Sequence, residues 1–129
     1  MSSAEAPRAS RAGKAPDGLR LVISGGGTAG HVYPALALLD SWPHPEPRVT
    51  WIGTPDGMER SIVTAAGIPF EGVRSGAVRG QRADRLARSL TLVAAGAAQA
   101  SAILFRTQPD VVLTTGGYVS VPVAAASRL

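Results

Sequence analysis

The sequence contains no cysteine. That excludes a disulfide framework and a thiolate metal site, and it fits a reducing compartment. No apolar h-region occurs near the start, so no secretory signal is read. No run reaches 18 apolar residues, so no transmembrane helix is expected. Residues 92–105 come closest, and Gln99 and Ser101 interrupt them. No internal repeat is visible. Residues 1–18 are rich in Ala, Ser, Pro and Arg, lack periodicity and read as a disordered tail. Acidic residues are scarce where basic ones gather. Residues 74–88 hold Arg74, Arg79, Arg82, Arg85 and Arg88 against Asp84 alone, an excess equal to the whole chain's net charge of +4. Such a patch suits phosphates, an anionic membrane surface or nucleic acid, and equally a solvated helix start.

What is present is a chain of 129 residues, 45% hydrophobic. That is one domain with enough apolar mass for a core. Strand and helix signals alternate. Strands are read at 20–24, 48–52, 69–73 and 111–114. Helices are read at 33–41, 57–66, 84–106 and 119–128, with Pro34 near the first turn of the first and Gly67 capping the second. A glycine- and arginine-bearing loop is read at 75–83. The order predicts an α/β fold with a parallel sheet and right-handed crossovers. A strand is expected to follow the last helix, and a doubly wound half usually carries more than four strands, so the chain reads as a truncated product or the front part of a larger enzyme.

The densest signal is Ser24-Gly25-Gly26-Gly27-Thr28-Ala29-Gly30-His31, between the first strand and the first helix. Glycine lets backbone approach a ligand closely, and a helix N-terminus favours an anion. Gly25, Gly27 and Gly30 match the spacing of a dinucleotide fingerprint, which alone is weak. That reading expects an acid at the end of strand two. The chain instead gives Ile52-Gly53-Thr54-Pro55, with Asp56 after the proline. A nicotinamide-binding oxidoreductase is therefore disfavoured. A Walker loop is excluded by the missing Gly-Lys-Ser/Thr. A sugar diphosphate remains, with His31 as a titratable group beside it, suited to general-base work or to helix capping alone. Thr28 suits a phosphate contact and an N-cap alike. Thr115-Gly116-Gly117-Tyr118 repeats the strand-to-helix glycine pattern, and Tyr118 reads either as an acceptor contact or as an interface aromatic.

Five ordered segments resemble one family. They are Gly26 to Ala35, Trp51 to Glu59, Gly67-Ile68-Pro69 with Ser75 to Gly80, Pro109 to Leu113, and Gly116 to Pro122. They are similar to the MurG family of glycosyltransferase family 28, which makes the lipid precursor of peptidoglycan. The resemblance covers residues 20–129. It implies a Rossmann-like domain, here 19–129 and partial, forming the N-terminal half of a truncated GT-B architecture. It implies an inverting transfer of N-acetylglucosamine from UDP-N-acetylglucosamine to a polyprenyl-diphosphate muramyl-peptide acceptor, with no cofactor and no metal. His31 would be catalytic. Gly26, Gly27, Thr28, Ala29, Gly30, Gly116, Gly117 and Tyr118 would bind substrate. Arg79, Arg82, Arg85 and Arg88 would meet diphosphate or an anionic membrane surface, not nucleic acid, placing the protein peripherally at the cytoplasmic face of the cell membrane. Ala29 stands where the family usually has glycine, which predicts local strain or a methyl group near the ligand. The family's next strand and its donor domain lie beyond residue 129, so this chain alone is expected to be inactive. The alternative is a non-catalytic, membrane-docking acceptor half of a split GT-B enzyme.

Overall fold

The computed structural model describes residues 18–43, 45–75 and 83–128. Within them the chain runs β1 (Arg20–Gly25), α1 (Ala29–Asp40), β2 (Arg48–Gly53), α2 (Met58–Ala65), β3 (Phe70–Gly72), α3 (Ala83–Thr107), β4 (Val111–Gly116) and α4 (Ser120–Ala126). The strands form one parallel sheet in the order β3-β2-β1-β4. The expected α/β class and parallel sheet are what the molecule has. The tail at 1–17 and most of the loop at 75–83 lie outside the described residues.

Alternation along the strands divides the core in two. Leu21, Ile23 and Trp51 pack with Val32, Ala35 and Val63 from α1 and α2. Val22 and Ile52 pack on the other face with Ala100 and Ile103 from α3, Val123 and Ala126 from α4, and Val119 just before α4. Both faces are covered, which is why the strand sequences are nearly continuous apolar runs. Growth from β1 through β2 to β3 proceeds one way. The chain then crosses to place β4 on the other side of β1. The two loops after β1 and β4 therefore meet at the switch point, where open α/β sheets receive ligands.

Three helix features are informative beside the sequence reading, one of them in agreement with it. Helix α1 begins at Ala29, not near residue 33, so Pro34 sits inside it rather than in its first turn. Proline there removes one internal hydrogen bond, which the surrounding turns outweigh. Gly67 takes φ +77, and the amides of Gly67 and Ile68 donate to the carbonyls of Thr64 and Val63. That is a Schellman closure, as the cap reading requires. Helix α3 has 25 residues and is long and apolar enough to cross a membrane by length and composition, contrary to the expectation that no such segment exists. Its C-terminal half packs on protein. Ala100 and Ile103 enter the core, Gly96 lies against the Arg74 carbonyl, and Arg106 pairs with Glu71. Its first half is largely exposed, with Ser89 buried and Leu90 half exposed. Length and composition thus overstate how much of α3 is free.

At the opposite pole from the loops, Arg20 and Asp110 pin the starts of β1 and β4. The Arg20 amide donates to Asp110 Oδ2 at 2.8 Å, and its guanidinium reaches Oδ1 at 3.1 Å. The hydrogen bond, and then the charge of Asp110, raise the Arg20 pKa above its ordinary value.

Candidate functional site at the paired glycine loops

The two glycine loops stack on one another. The Gly26 amide donates to the Gly116 carbonyl at 3.3 Å. Gly117 has φ +90, and a Cβ there would overlap the Gly26 carbonyl. Gly116 has φ +115, and a Cβ there would lie 3.0 Å from His31 Nε2. Both second-loop glycines are therefore required twice, by conformation and by close approach. Thr115 adds a tie, donating from Oγ1 to the His31 carbonyl at 2.5 Å.

His31 lies in the first turn of α1, half-buried. Its Nδ1 is 2.9 Å from the Gly26 carbonyl oxygen. A carbonyl can only accept, so Nδ1 carries the proton and donates. The neutral ring then has its lone pair on Nε2, on the side facing Gly116. Thr28 Oγ1 stands 3.3 Å from the same Nδ1. Thr28 occupies the N-cap position of α1 in extended geometry, but its side chain makes no capping hydrogen bond. The hydroxyl stays at the exposed crest of the loop, beside Gly27 and Gly30.

The structure brings Gly26, Gly27, Thr28, Ala29, Gly30, His31, Gly116 and Gly117 to one end of the sheet. Tyr118 follows the second loop and is 62% exposed. Ala29 is the first residue of α1 and has no positive φ. The expected strain is absent because the left-handed residue is Gly27, two positions earlier, at φ +82. Arg85 and Arg88 lie exposed on the first turns of α3. Arg79 and Arg82 lie outside the described residues. Among the described residues, no group of three His, Cys, Asp or Glu side chains could hold a metal ion. A concavity of about 550 Å³ opens at the far pole, between the C-terminal ends of α1 and α2, and is lined in part by Leu36, Trp42 and Pro69. It shares no residue with the glycine loops.

Sequence reasoning gave no role to Glu59. Its side chain is fully buried. Oε1 accepts the Thr54 amide at 2.7 Å, and Oε2 accepts the Gly27 amide at 3.3 Å. A Cβ at Gly26, Gly53 or Gly57 would run into this side chain. One signal pointed to it: two glycines, Gly53 and Gly57, crowd the start of α2, where no turn at φ > 0 requires them. The Glu59 carboxyl group that follows strand β2 is thus turned inward and occupied by loop amides, while Asp56 is exposed. That geometry counts against the oxidoreductase reading.

The Glycosyltransferase family 28 N-terminal domain matches residues 21–129. The chain belongs to this family. It is 41% identical over 111 residues to the UDP-N-acetylglucosamine–N-acetylmuramyl-(pentapeptide) pyrophosphoryl-undecaprenol N-acetylglucosamine transferase of Halothermothrix orenii, covering 86% of this chain and 30% of that protein. It is 45% identical over 115 residues to the enzyme of the same name from Bacillus cytotoxicus, covering 86% and 31%. A crystal structure of Acinetobacter baumannii MurG matches with a TM-score of 0.68 at 27% identity, over 85% of this chain and 32% of that one. The family 28 chain described here therefore has the fold of a MurG N-terminal domain, and it spans about 30% of the length of the curated relatives it matches.

Proposed function

We propose that this family 28 chain is the acceptor-side domain of an inverting transferase of peptidoglycan synthesis. The reaction moves N-acetylglucosamine from UDP-N-acetylglucosamine to a polyprenyl-diphosphate muramyl-peptide. The observation that carries the assignment is the His31 ring, fixed by Nδ1 on the Gly26 carbonyl with Nε2 left as the base. In the proposed step, Nε2 takes the proton of the acceptor hydroxyl. The hydroxyl oxygen bonds to the anomeric carbon as the bond to UDP breaks, and UDP leaves with the electron pair. The glycine loops and the start of α1 supply backbone donors for the acceptor diphosphate.

The same reading puts the chain peripherally on the cytoplasmic face of the cell membrane. Arg79, Arg82, Arg85 and Arg88 would meet anionic lipid, and the exposed Leu90 would add apolar contact. Two experiments test the function. The chain should bind a soluble acceptor analogue and not UDP-N-acetylglucosamine; donor binding alone would contradict the domain assignment. In the full-length transferase, His31→Ala should lower turnover by about 10²-fold or more, the usual scale for a general base. Turnover near that of the parent enzyme, with folding intact, would leave His31 as a helix residue only.

A further inference from the structure

We infer that Glu59 is a positioning residue for His31, acting through the first glycine loop; the inference rests on the reading of His31 as the base. The path is short and each step is a contact. Glu59 bridges two segments, one carboxylate oxygen on the Thr54 amide and the other on the Gly27 amide. The second bond fixes the peptide between Gly26 and Gly27. The carbonyl of that peptide is the one that accepts His31 Nδ1. Glu59 thus holds the acceptor that sets the imidazole tautomer, and with it the lone pair on Nε2. An oriented ring with a defined tautomer is what general-base work needs from its supporting residues.

The packing around the carboxylate fits this role and no solvent-facing one. Gly26, Gly53 and Gly57 each approach it so closely that a Cβ at any of them would collide with its side chain. Its side chain is fully buried and both carboxyl oxygens are matched to backbone amides. A second consequence follows. The Gly27 amide is committed to Glu59, so it is not among the donors offered to a bound diphosphate. Those donors begin at Thr28.

The test is nuclear magnetic resonance on the chain itself. The Gly27 and Thr54 amides have no backbone acceptor among the described residues, so their exchange protection reports Glu59 alone. Both should exchange about tenfold or more slowly than the exposed Thr28 amide, on the scale of one hydrogen bond. Unprotected Gly27 and Thr54 amides in the unmodified chain would overturn the inference without any variant. Glu59→Gln keeps the shape but presents an NH2 to one of the two donors. In that variant the Gly27 amide should lose its protection. The His31 ring nitrogens should pass from an approximately tenfold preference for Nδ1–H to a mixture of tautomers. The Trp51 indole N–H, bonded to the Gly25 carbonyl at 3.0 Å, reports whether the fold persists. A folded Gln variant with an unchanged His31 tautomer would overturn the positioning role. Titration with inorganic pyrophosphate should move the amides of Thr28, Ala29 and Gly30 and leave Gly27 protected; a Gly27 amide released to pyrophosphate would also overturn it. Failure of the base reading shows elsewhere, as unchanged turnover in His31→Ala.

Discussion

Gly27 and Gly67 form a matched pair that separates ligand binding from stability. Gly27 has φ +82 and Gly67 has φ +77, and an added Cβ meets no atom within 4 Å at either position. Alanine at either site therefore costs only the left-handed conformation, roughly 1 kcal/mol. Neither methyl overlaps a neighbour, so no steric contribution adds to it. For a chain of this length that corresponds to about 4 °C in Tm. The two positions differ in place. Gly27 forms the crest of the first glycine loop, while Gly67 caps α2 at the other pole of the sheet. If the acceptor diphosphate seats over the loop crest, the methyl of Gly27→Ala occupies the ligand's space and that of Gly67→Ala does not. Thermal melts of both variants should agree within about 0.5 kcal/mol. Calorimetric titration with inorganic pyrophosphate should then show affinity lost by about tenfold or more in Gly27→Ala and unchanged in Gly67→Ala, the scale of one displaced charge-assisted contact. Equal affinity in the two variants, at equal stability, would refute the placement of diphosphate on the first loop.

Other expectations follow from the same geometry. Gly117→Val combines a disfavoured φ with overlap of the Gly26 carbonyl, so it should cost well over the roughly 1 kcal/mol of Gly27→Ala; a melt within 2 °C of the parent would show that the loops do not stack. Anionic liposomes should sediment the chain, the effect should fall with salt, and glutamine at Arg79, Arg82, Arg85 and Arg88 should abolish most of it, each arginine contributing about 1 kcal/mol at low salt. Equal binding to neutral and anionic vesicles would exclude that patch as the membrane contact. Gly53→Ala places a methyl against the Glu59 side chain and the Phe70 ring, so it should destabilise the chain by about 1–3 kcal/mol, the range for overpacking a filled core; urea unfolding reads it, and an unchanged midpoint would show that the carboxylate is not enclosed.

How much of this was legible in the residues depends on the range of the forces involved. The strands were readable because a parallel sheet covered on both faces writes unbroken apolar runs, as in Leu21-Val22-Ile23 and Val111-Val112-Leu113. The Schellman cap at Gly67 was readable because its partners lie within five residues of it. The start of α1 was not. Gly-Thr-Ala-Gly has poor helix propensity, and Pro34 invited a first-turn placement. Contacts with the sheet, through the buried Val32 and Ala35, decide that helix instead. The strain expected at Ala29, drawn from the glycine usual there in the family, is absent because Ala29 is helical and Gly27 takes the left-handed turn.

The candidate site divides along the same line. Its members at the loop crests were visible as local motifs, because glycine, threonine and histidine at a strand-to-helix turn have local reasons to be there. The brace beneath them was not visible, because its partners come from separate places in the chain. Glu59 touches Gly27 from 32 residues away, and Gly26 meets the second loop at Gly116 and Gly117 across a far longer stretch of chain. An acid in the first turn of a helix looks like a surface residue answering the helix dipole. Here Glu59 faces inward, and the crowding of glycine around it is the trace that the sequence retains. Gly26 and Gly57 are glycine for the room this side chain needs, and Gly53 for the room that it and the Phe70 ring need, since none has a positive φ. A glycine without a turn to make thus points to a group packed against it. In this chain the group is the carboxylate that joins the first two strand-to-helix loops.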